Sequence, residues 1–247
     1  MIEIIDAHCH LDFDNFKNDR KEVIRRAKAS GVIAVINSGY DYYSNHRTLQ
    51  IASDYVFPTL GFSPNRIGKS SVEHVVEQIR ENEKLIVGVG EVGLDAVKNS
   101  IPLSRQKEVF EVFISLAEEL QRPLVIHARG AEEEAFSMVS GRDVDVVFHC
   151  YSGSSRLMKA IEDAGYYISL STLICFSEKH KELAKRVDVE KLLLETDSPF
   201  LSPFRGRNEP AYVVEALNVV SDLQGFEAGE LGSIIIGNTQ KIFKLQL

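Results

Sequence analysis

Cysteine is scarce in this chain of 247 residues, which contains only Cys9, Cys150 and Cys175. Such an odd and sparse set does not resemble a secreted disulfide framework, and it favours a reducing compartment. No apolar stretch approaches the roughly 18 residues of a membrane span. The N-terminus also lacks the basic and apolar regions of a secretory signal. We therefore expect a cytoplasmic protein without a membrane partner.

Positive charge is also in short supply. The chain has 28 Lys and Arg against 36 Asp and Glu, which gives a formal net charge of −8. This acidic balance argues against a protein that coats DNA by electrostatic attraction. It does not exclude a nucleic-acid enzyme whose local positive charge comes from bound metal ions.

Linkers and low-complexity segments are lacking as well, so we expect a single domain over residues 1–247. Hydrophobic residues make up 44% of the chain and charged residues 26%, which is typical of a globular protein with a sizeable core. What recurs is a set of short apolar runs of the length of buried strands. These runs cover residues 2–5, 32–36, 56–60, 85–89, 124–126, 144–148, 166–170 and 191–194.

Helical patterns lie between the apolar runs. The clearest covers residues 104–121, others cover 19–30 and 227–243, and one more begins near Pro210. About eight strands, each followed by a helix, predict a (β/α)8 TIM barrel. A doubly wound open sheet is the rival architecture, but no glycine-rich dinucleotide fingerprint follows the first strand.

The carboxyl ends of barrel strands are where catalytic groups collect, and this chain places histidines and carboxylates there. Imidazole and carboxylate groups together suit divalent metals such as Zn, Mn or Fe, and Mg if further oxygen ligands join. The set is large enough for two ions with a bridging carboxylate, an arrangement that fits phosphoester hydrolysis. We interpret the other histidines, His46, His74 and His180, as ordinary polar residues of helices or loops. The candidate ligands are His8, His10, Glu91, His127, His149 and Asp197.

The local sequences around these residues resemble the TatD family of metal-dependent deoxyribonucleases, within the amidohydrolase superfamily. The resemblance extends over essentially the whole chain, and its blocks follow one another in the family's order. They read DAHCHLD at 6–12, GEVGLD at 90–95, IHAR at 126–129, HCYSG at 149–153, ETDSPFL at 195–201, RNEPAYV at 207–213 and GNTQKIF at 237–243.

This resemblance implies a role for each candidate ligand. His8 and His10 would hold one divalent ion (Mg, Mn or Zn) together with Asp197. His127 and His149 would hold a second ion, and Glu91 would bridge the two where many superfamily members use a carboxylated lysine. Asp197 would also act as the general base towards the attacking water.

The implied substrate is DNA or an oligonucleotide, single-stranded and trimmed from an end, and the implied enzyme is a monomer. Arg129, two residues after a candidate ligand, is a candidate phosphate contact, with a structural salt bridge as the alternative. Arg205 and Arg207 precede the helix that begins near Pro210, where they would hold a phosphate or the strand backbone. The alternative for this pair is a solvated loop.

The chain departs from the family pattern after its third strand. Family members usually carry a Gly-x-His-Pro-His sequence there, whereas this chain has Ser63 and Asn65 in place of both histidines. Phe204 likewise stands where a histidine is common. These departures affect the choice of substrate and leave the candidate metal ligands intact. A metallohydrolase that acts on a small phosphodiester, a lactone or an amide therefore remains an alternative. A metal-binding scaffold without turnover is the alternative from another class.

Overall fold

The computed structural model describes residues 2–247. Eight parallel strands form one sheet in chain order. The helices lie between them, so the predicted (β/α)8 barrel is confirmed. The strands are β1 (Ile4–Cys9), β2 (Val32–Ser38), β3 (Val56–Phe62), β4 (Gly88–Asp95), β5 (Leu124–Arg129), β6 (Val146–Phe148), β7 (Tyr167–Ser171) and β8 (Leu192–Glu195).

Nine α-helices cover this sheet within residues 2–247. Three of them begin at a serine or aspartate whose side-chain oxygen accepts a backbone N–H of the first turn: Asp41, Ser71 and Ser154. The helices are α1 (Arg20–Ala29), α2 (Tyr42–Gln50), α3 (Val72–Glu81), α4 (Leu103–Leu120), α5 (Glu132–Val139), α6 (Ser155–Asp163), α7 (Glu178–Ala184), α8 (Val213–Gln224) and α9 (Ala228–Phe243). No helix in this part of the chain is both long enough and apolar enough to cross a membrane.

The first and last strands meet and bring the two ends of the chain together. Thr196 donates its backbone N–H and its hydroxyl to the two carboxylate oxygens of Asp6, over 2.8 and 2.6 Å. Cys9 and Ser198 form an isolated parallel bridge, and His10 N–H donates to the Ser198 carbonyl over 2.8 Å. The residues that follow β8 therefore lie beside the carboxyl end of β1.

An apolar floor lies beneath this end of the barrel. Alternate residues of a strand share a face, so Val125, Val147 and Leu193 lie two residues below His127, His149 and Glu195 on the same faces. These three apolar residues are buried and belong to one cluster, which Phe243 at the end of α9 also joins. Burial of this kind excludes water from below the polar groups.

The strands differ from the predicted runs mainly at their carboxyl ends. The run predicted at 85–89 is a strand over Gly88–Asp95, and the run predicted at 2–5 is a strand over Ile4–Cys9. Polar residues continue the strands there, because their side chains point into the barrel mouth while their backbone still pairs with the neighbouring strand. His127, for example, pairs with Gly93 of β4. The helix expected near Pro210 starts as a 3-10 turn over Pro210–Tyr212 that leads into α8.

Candidate metal centre

The six candidate ligands lie together at the carboxyl ends of the strands, arranged around Glu91. Its Oε2 atom lies 3.7 Å from Nε2 of His8 and 3.7 Å from Nε2 of His10. Its Oε1 atom lies 3.0 Å from Nδ1 of His127 and 3.8 Å from Nε2 of His149. The two oxygens of one buried carboxylate therefore face two different pairs of histidines.

Asp197 belongs to the side of His8 and His10. Its Oδ1 atom lies 3.5 Å from Nε2 of His10, and its backbone N–H donates to the His8 carbonyl over 3.0 Å. Asp197 has a φ of 53°, a left-handed conformation that costs energy in a non-glycine residue. This contact between the chain's first strand and the loop after its last strand holds the carboxylate at the centre.

Two glycines allow the strands to approach closely at Glu91 and His127. A Cβ atom on Gly61 would lie 2.4 Å from the backbone nitrogen of Glu91. One on Gly93, whose φ is 137°, would lie 2.1 Å from the carbonyl oxygen of His127. Any larger residue at either position would displace a candidate ligand.

Ser38, at the end of β2, contacts both histidines of the first strand. Its hydroxyl lies 3.2 Å from Nδ1 of His8, and its carbonyl oxygen lies 2.8 Å from Nδ1 of His10. Such contacts fix the ring orientation and leave the Nε2 atoms facing Glu91. Nothing in the local sequence around Ser38 indicates this role, which depends on the pairing of β1 with β2.

Two carboxylates support the other pair of histidines from behind. Oδ2 of Asp95 lies 3.5 Å from Nε2 of His127, and Oε1 of Glu195 lies 3.3 Å from Nδ1 of His149. Carboxylate–imidazole contacts of this kind orient metal ligands and increase their basicity. Asp95 and Glu195 were not among the predicted site residues, although each stands at one end of a motif that contains a candidate ligand.

The charges at the centre are strongly coupled. Burial raises the pKa of Glu91, but His127 and His8 outweigh it and hold the pKa well below its usual value. Burial lowers the pKa of His10 and His127, yet the neighbouring carboxylates raise both pKa values to about 9. For His149 burial dominates and lowers the pKa to about 4. At neutral pH the metal-free centre therefore combines ionised carboxylates with the protonated imidazoles of His10 and His127, whereas the pKa values of His8 and His149 are lowered and favour the neutral ring.

The donor set fits divalent cations. The ligand atoms of His8, His10 and Glu91 all lie within 4.8 Å of one another, as do those of Glu91, His127 and His149. Nitrogen and carboxylate donors in this mixture suit Zn, Mn or Fe, and Mg when waters complete its shell. Both of these groups contain Glu91, so that a cation in either would contact this carboxylate, whereas a third group of donors within the same distance consists of His8, His149 and Glu195.

A cavity of about 500 Å³ opens above the centre, which is a normal size for a ligand cleft. Arg129 lines it with a 42% exposed side chain, 3.8 Å from Asp95. This position suits a contact with a phosphate group. The contact with Asp95 is the ion pair expected from the alternative role, a structural salt bridge. Ser63 and Asn65, which replace the two family histidines, also line the cavity.

Arg205 and Arg207 are not among the residues that line this cavity. Arg207 donates two hydrogen bonds to Asp19, over 2.9 and 2.6 Å, and its guanidinium lies 4.4 Å from the centre of the Phe16 ring. Arg205 is exposed on the loop before the 3-10 turn. Neither arginine therefore lines the cavity above the centre, and Arg207 forms an ion pair with Asp19.

The three remaining histidines lie on helices, as predicted. His46 is in α2, His74 is in α3 and His180 is in α7. His180 is satisfied by neighbouring hydroxyls, with Nε2 at 2.9 Å from Ser152 Oγ and Nδ1 at 2.7 Å from Ser177 Oγ. None of them contributes to the donor groups found among residues 2–247.

Comparisons with known proteins point to a family of metal-dependent hydrolases. Residues 5–244 match the family model described as TatD related DNase. An uncharacterized metal-dependent hydrolase of Methanocaldococcus jannaschii is 41% identical over 100% of this chain and 99% of its own length. The 3'-5' ssDNA/RNA exonuclease TatD of Pectobacterium parmentieri is 28% identical over 98% of this chain and 100% of its own.

A solved structure has the same architecture. The crystal structure of YjjV, a TatD homologue from Escherichia coli K12, superposes with a TM-score of 0.92 at 26% identity and covers 98% of both chains. The family match over nearly the whole chain, the close relative and the histidine–carboxylate centre all lead to one assignment. The chain belongs to the TatD family of metal-dependent hydrolases.

Proposed function

We propose that this protein hydrolyses phosphodiester bonds in single-stranded DNA, and that it does so with two divalent ions. The observation that carries the proposal is the position of Glu91, whose two oxygens face His8 and His10 on one side and His127 and His149 on the other. A carboxylate placed in this way bridges two cations, and a two-cation centre suits in-line displacement at phosphorus.

Each residue of the centre has its own role. His8, His10 and Asp197 would hold one ion, His127 and His149 would hold the other, and Glu91 would contribute a ligand oxygen to each. Ions bound there activate water and neutralise the charge that develops on the phosphate oxygens.

Asp197 orients the attacking water and takes its proton, because it lines the cavity and is in the ionised form that can accept a proton, since His10 holds its carboxyl pKa low despite burial. Arg129 donates hydrogen bonds to a non-bridging phosphate oxygen, since its guanidinium reaches the same cavity. The product is a nucleotide released from a strand end.

The proposed substrate is also supported by a relative. The Pectobacterium parmentieri protein is named a 3'-5' ssDNA/RNA exonuclease, and its likeness extends over 98% of this chain. Ser63 and Asn65 in the cavity favour a second candidate, a small phosphodiester, because the cavity lacks the two histidines usual in the family.

The proposal is tested with end-labelled single-stranded oligonucleotides in Mg²⁺ or Mn²⁺, with and without a chelator. We expect stepwise shortening that the chelator stops and that Asp197→Asn reduces by at least a hundredfold. A panel of a p-nitrophenyl phosphodiester, a lactone and an amide is measured beside it. Turnover of the panel without turnover of the oligonucleotides would overturn the nuclease assignment, and no turnover at all would favour the scaffold alternative.

We further propose that the protein acts as a monomer in the cytoplasm. All three cysteines are free, which fits a reducing compartment. Sedimentation of the purified protein at working concentration tests the first point, and fractionation of the source cells tests the second.

A further inference from the structure

Three aromatic side chains form one wall of the cavity, and we call them the aromatic shelf: Phe13, Tyr40 and Phe200. The Phe13 ring lies between the other two, with centroids 5.3 Å from Tyr40 and 5.9 Å from Phe200. Phe13 also stacks on the candidate ligand His10 at 4.7 Å. The Tyr40 and Phe200 rings lie 6.3 and 6.5 Å from the His10 ring, so the whole shelf is grouped beside this candidate ligand.

Phe200 is the outermost member of the shelf, and 51% of its surface is exposed. Its backbone is held at both polar atoms. The N–H donates to the Asp197 carbonyl over 3.0 Å, and the carbonyl accepts from Asn208 Nδ2 over 2.6 Å. The backbone of Phe200 is thus held relative to Asp197, and its ring presents apolar surface to the cavity.

Positive charge completes the lining of the same cavity. Arg129 reaches it from β5, and Lys69 and Arg66 reach it from the loop after β3. The Arg66 guanidinium lies 5.7 Å from the centre of the Tyr40 ring. A ligand that matches this lining carries a flat, uncharged ring beside one or more anionic groups, and that is the chemistry of a nucleotide.

We propose that the aromatic shelf stacks the nucleobase next to the scissile phosphate. Phe200 is the platform, and it makes the enzyme prefer a nucleotide with any base over an abasic one at this position. The inference rests on the proposed nuclease function. Aromatic stacking tolerates every base, because each base has a π face, so the shelf supports binding without sequence preference. It also supplies affinity that an acidic chain cannot obtain from broad electrostatic attraction.

The chain has no tryptophan, which makes a specific optical test possible. Phe200→Trp places a single tryptophan on the platform. Phe204→Trp is the matched control, because Phe204 is also 51% exposed and lies on the same loop, but packs edge-on against Tyr212 at 5.0 Å and is not among the cavity-lining residues.

Each variant is titrated with a short oligothymidylate carrying phosphorothioate linkages, which are hydrolysed slowly, and with an abasic oligomer of the same phosphate count. We expect the oligothymidylate to quench and shift the emission of Phe200→Trp, whereas the abasic oligomer has little effect and Phe204→Trp responds to neither. Equal responses to the two oligomers, or equal responses from the two variants, would overturn the proposal.

Kinetics separate this inference from the function on which it rests. We expect Phe200→Leu to raise KM for an oligonucleotide about tenfold with little change in kcat, while KM for the abasic oligomer stays the same. If the wild-type protein hydrolyses no oligonucleotide, the nuclease proposal fails. If it does, and Phe200→Leu leaves both KM values unchanged, the stacking role alone is wrong.

Discussion

Oε1 of Glu195 lies 3.3 Å from Nδ1 of His149, on the side of the ring opposite Glu91. Glu195 is completely buried, and burial raises the pKa of its carboxyl group to about 7. Its other oxygen has no hydrogen-bond partner among the described residues. Burial of a carboxyl group with one unpaired oxygen costs free energy, which indicates a functional role for Glu195. Its contact with Nδ1 of His149 indicates that this role is to orient the His149 ring.

Glu195→Gln should therefore weaken metal binding without unfolding the protein. The amide keeps the size of the side chain but removes the negative charge behind His149, and we expect a loss of about 10- to 100-fold in affinity for the more weakly held ion. Calorimetric titration with Mn²⁺ measures it. Glu230→Gln, on the exposed first turn of α9, is the control. An affinity equal to that of the control would contradict the role.

Glu91→Ala removes the one side chain that faces both histidine pairs. We expect the protein to bind fewer than two equivalents of Mn²⁺ and to lose at least a hundredfold in kcat, because the remaining ligands no longer share a carboxylate. Elemental analysis after gel filtration gives the stoichiometry. Full metal content together with full turnover would exclude a bridging role for this residue.

Metal binding should release protons at neutral pH. His10 and His127 have pKa values of about 9 in the metal-free protein, and a metal requires neutral imidazole. We expect about two protons to leave at pH 7 when the centre is filled, and the metal affinity to rise with pH until both groups are neutral. Calorimetry in two buffers of different ionisation enthalpy counts the protons. A count near zero at pH 7 would be inconsistent with the charges described.

Arg129 and Arg207 should respond differently to replacement by alanine. Arg129→Ala should raise KM for an oligonucleotide about tenfold, because a charge-assisted hydrogen bond to phosphate is lost. Arg207→Ala should leave KM unchanged and lower the free energy of unfolding by roughly 1 kcal/mol, since its partly exposed pair with Asp19 is structural. Kinetics and urea unfolding on both variants decide this. If Arg207→Ala raises KM and Arg129→Ala does not, the phosphate binds at the loop that carries Arg207.

Asn208 should be important for stability because its side-chain amide is buried and satisfies two carbonyls. It donates to Thr196 O over 2.9 Å and to Phe200 O over 2.6 Å. Asn208→Ala leaves both carbonyls without this donor, and we expect a loss of about 2–4 kcal/mol in the free energy of unfolding. Asn82→Ala, which removes one bond to Gln78 at the end of α3, should cost clearly less. Equal losses in chemical denaturation would contradict this account.

The barrel and the clustering of the candidate ligands were predictable because both follow from the order of strands and helices along the chain. Parallel strands of a barrel bring their carboxyl ends to one rim, so histidines after separate apolar runs had to converge there. Exact strand ends were not predictable, since Glu91 and His127 continue the ladder although they are polar. Apolar patterning alone does not indicate this.

The surroundings of the centre depend on contacts that the sequence does not display. Ser38 contacts two histidines through the pairing of β1 with β2. Arg207 pairs with Asp19, 188 residues away, so a local interpretation of its loop missed the partner. The aromatic shelf draws its rings from the loops after β1, β2 and β8, whose conformations are not encoded in a periodic pattern.

The closure of β1 on β8 has a consequence for biosynthesis. His8 and His10 are made first, whereas Asp197 and the Ser198 carbonyl that anchor them are made nearly two hundred residues later. A chain still growing on the ribosome therefore has His8 and His10 without Asp197, and an open sheet in place of a barrel. We expect hydrolytic activity only from chains that extend beyond Ser198, so that a polypeptide terminated before β8 would lack it.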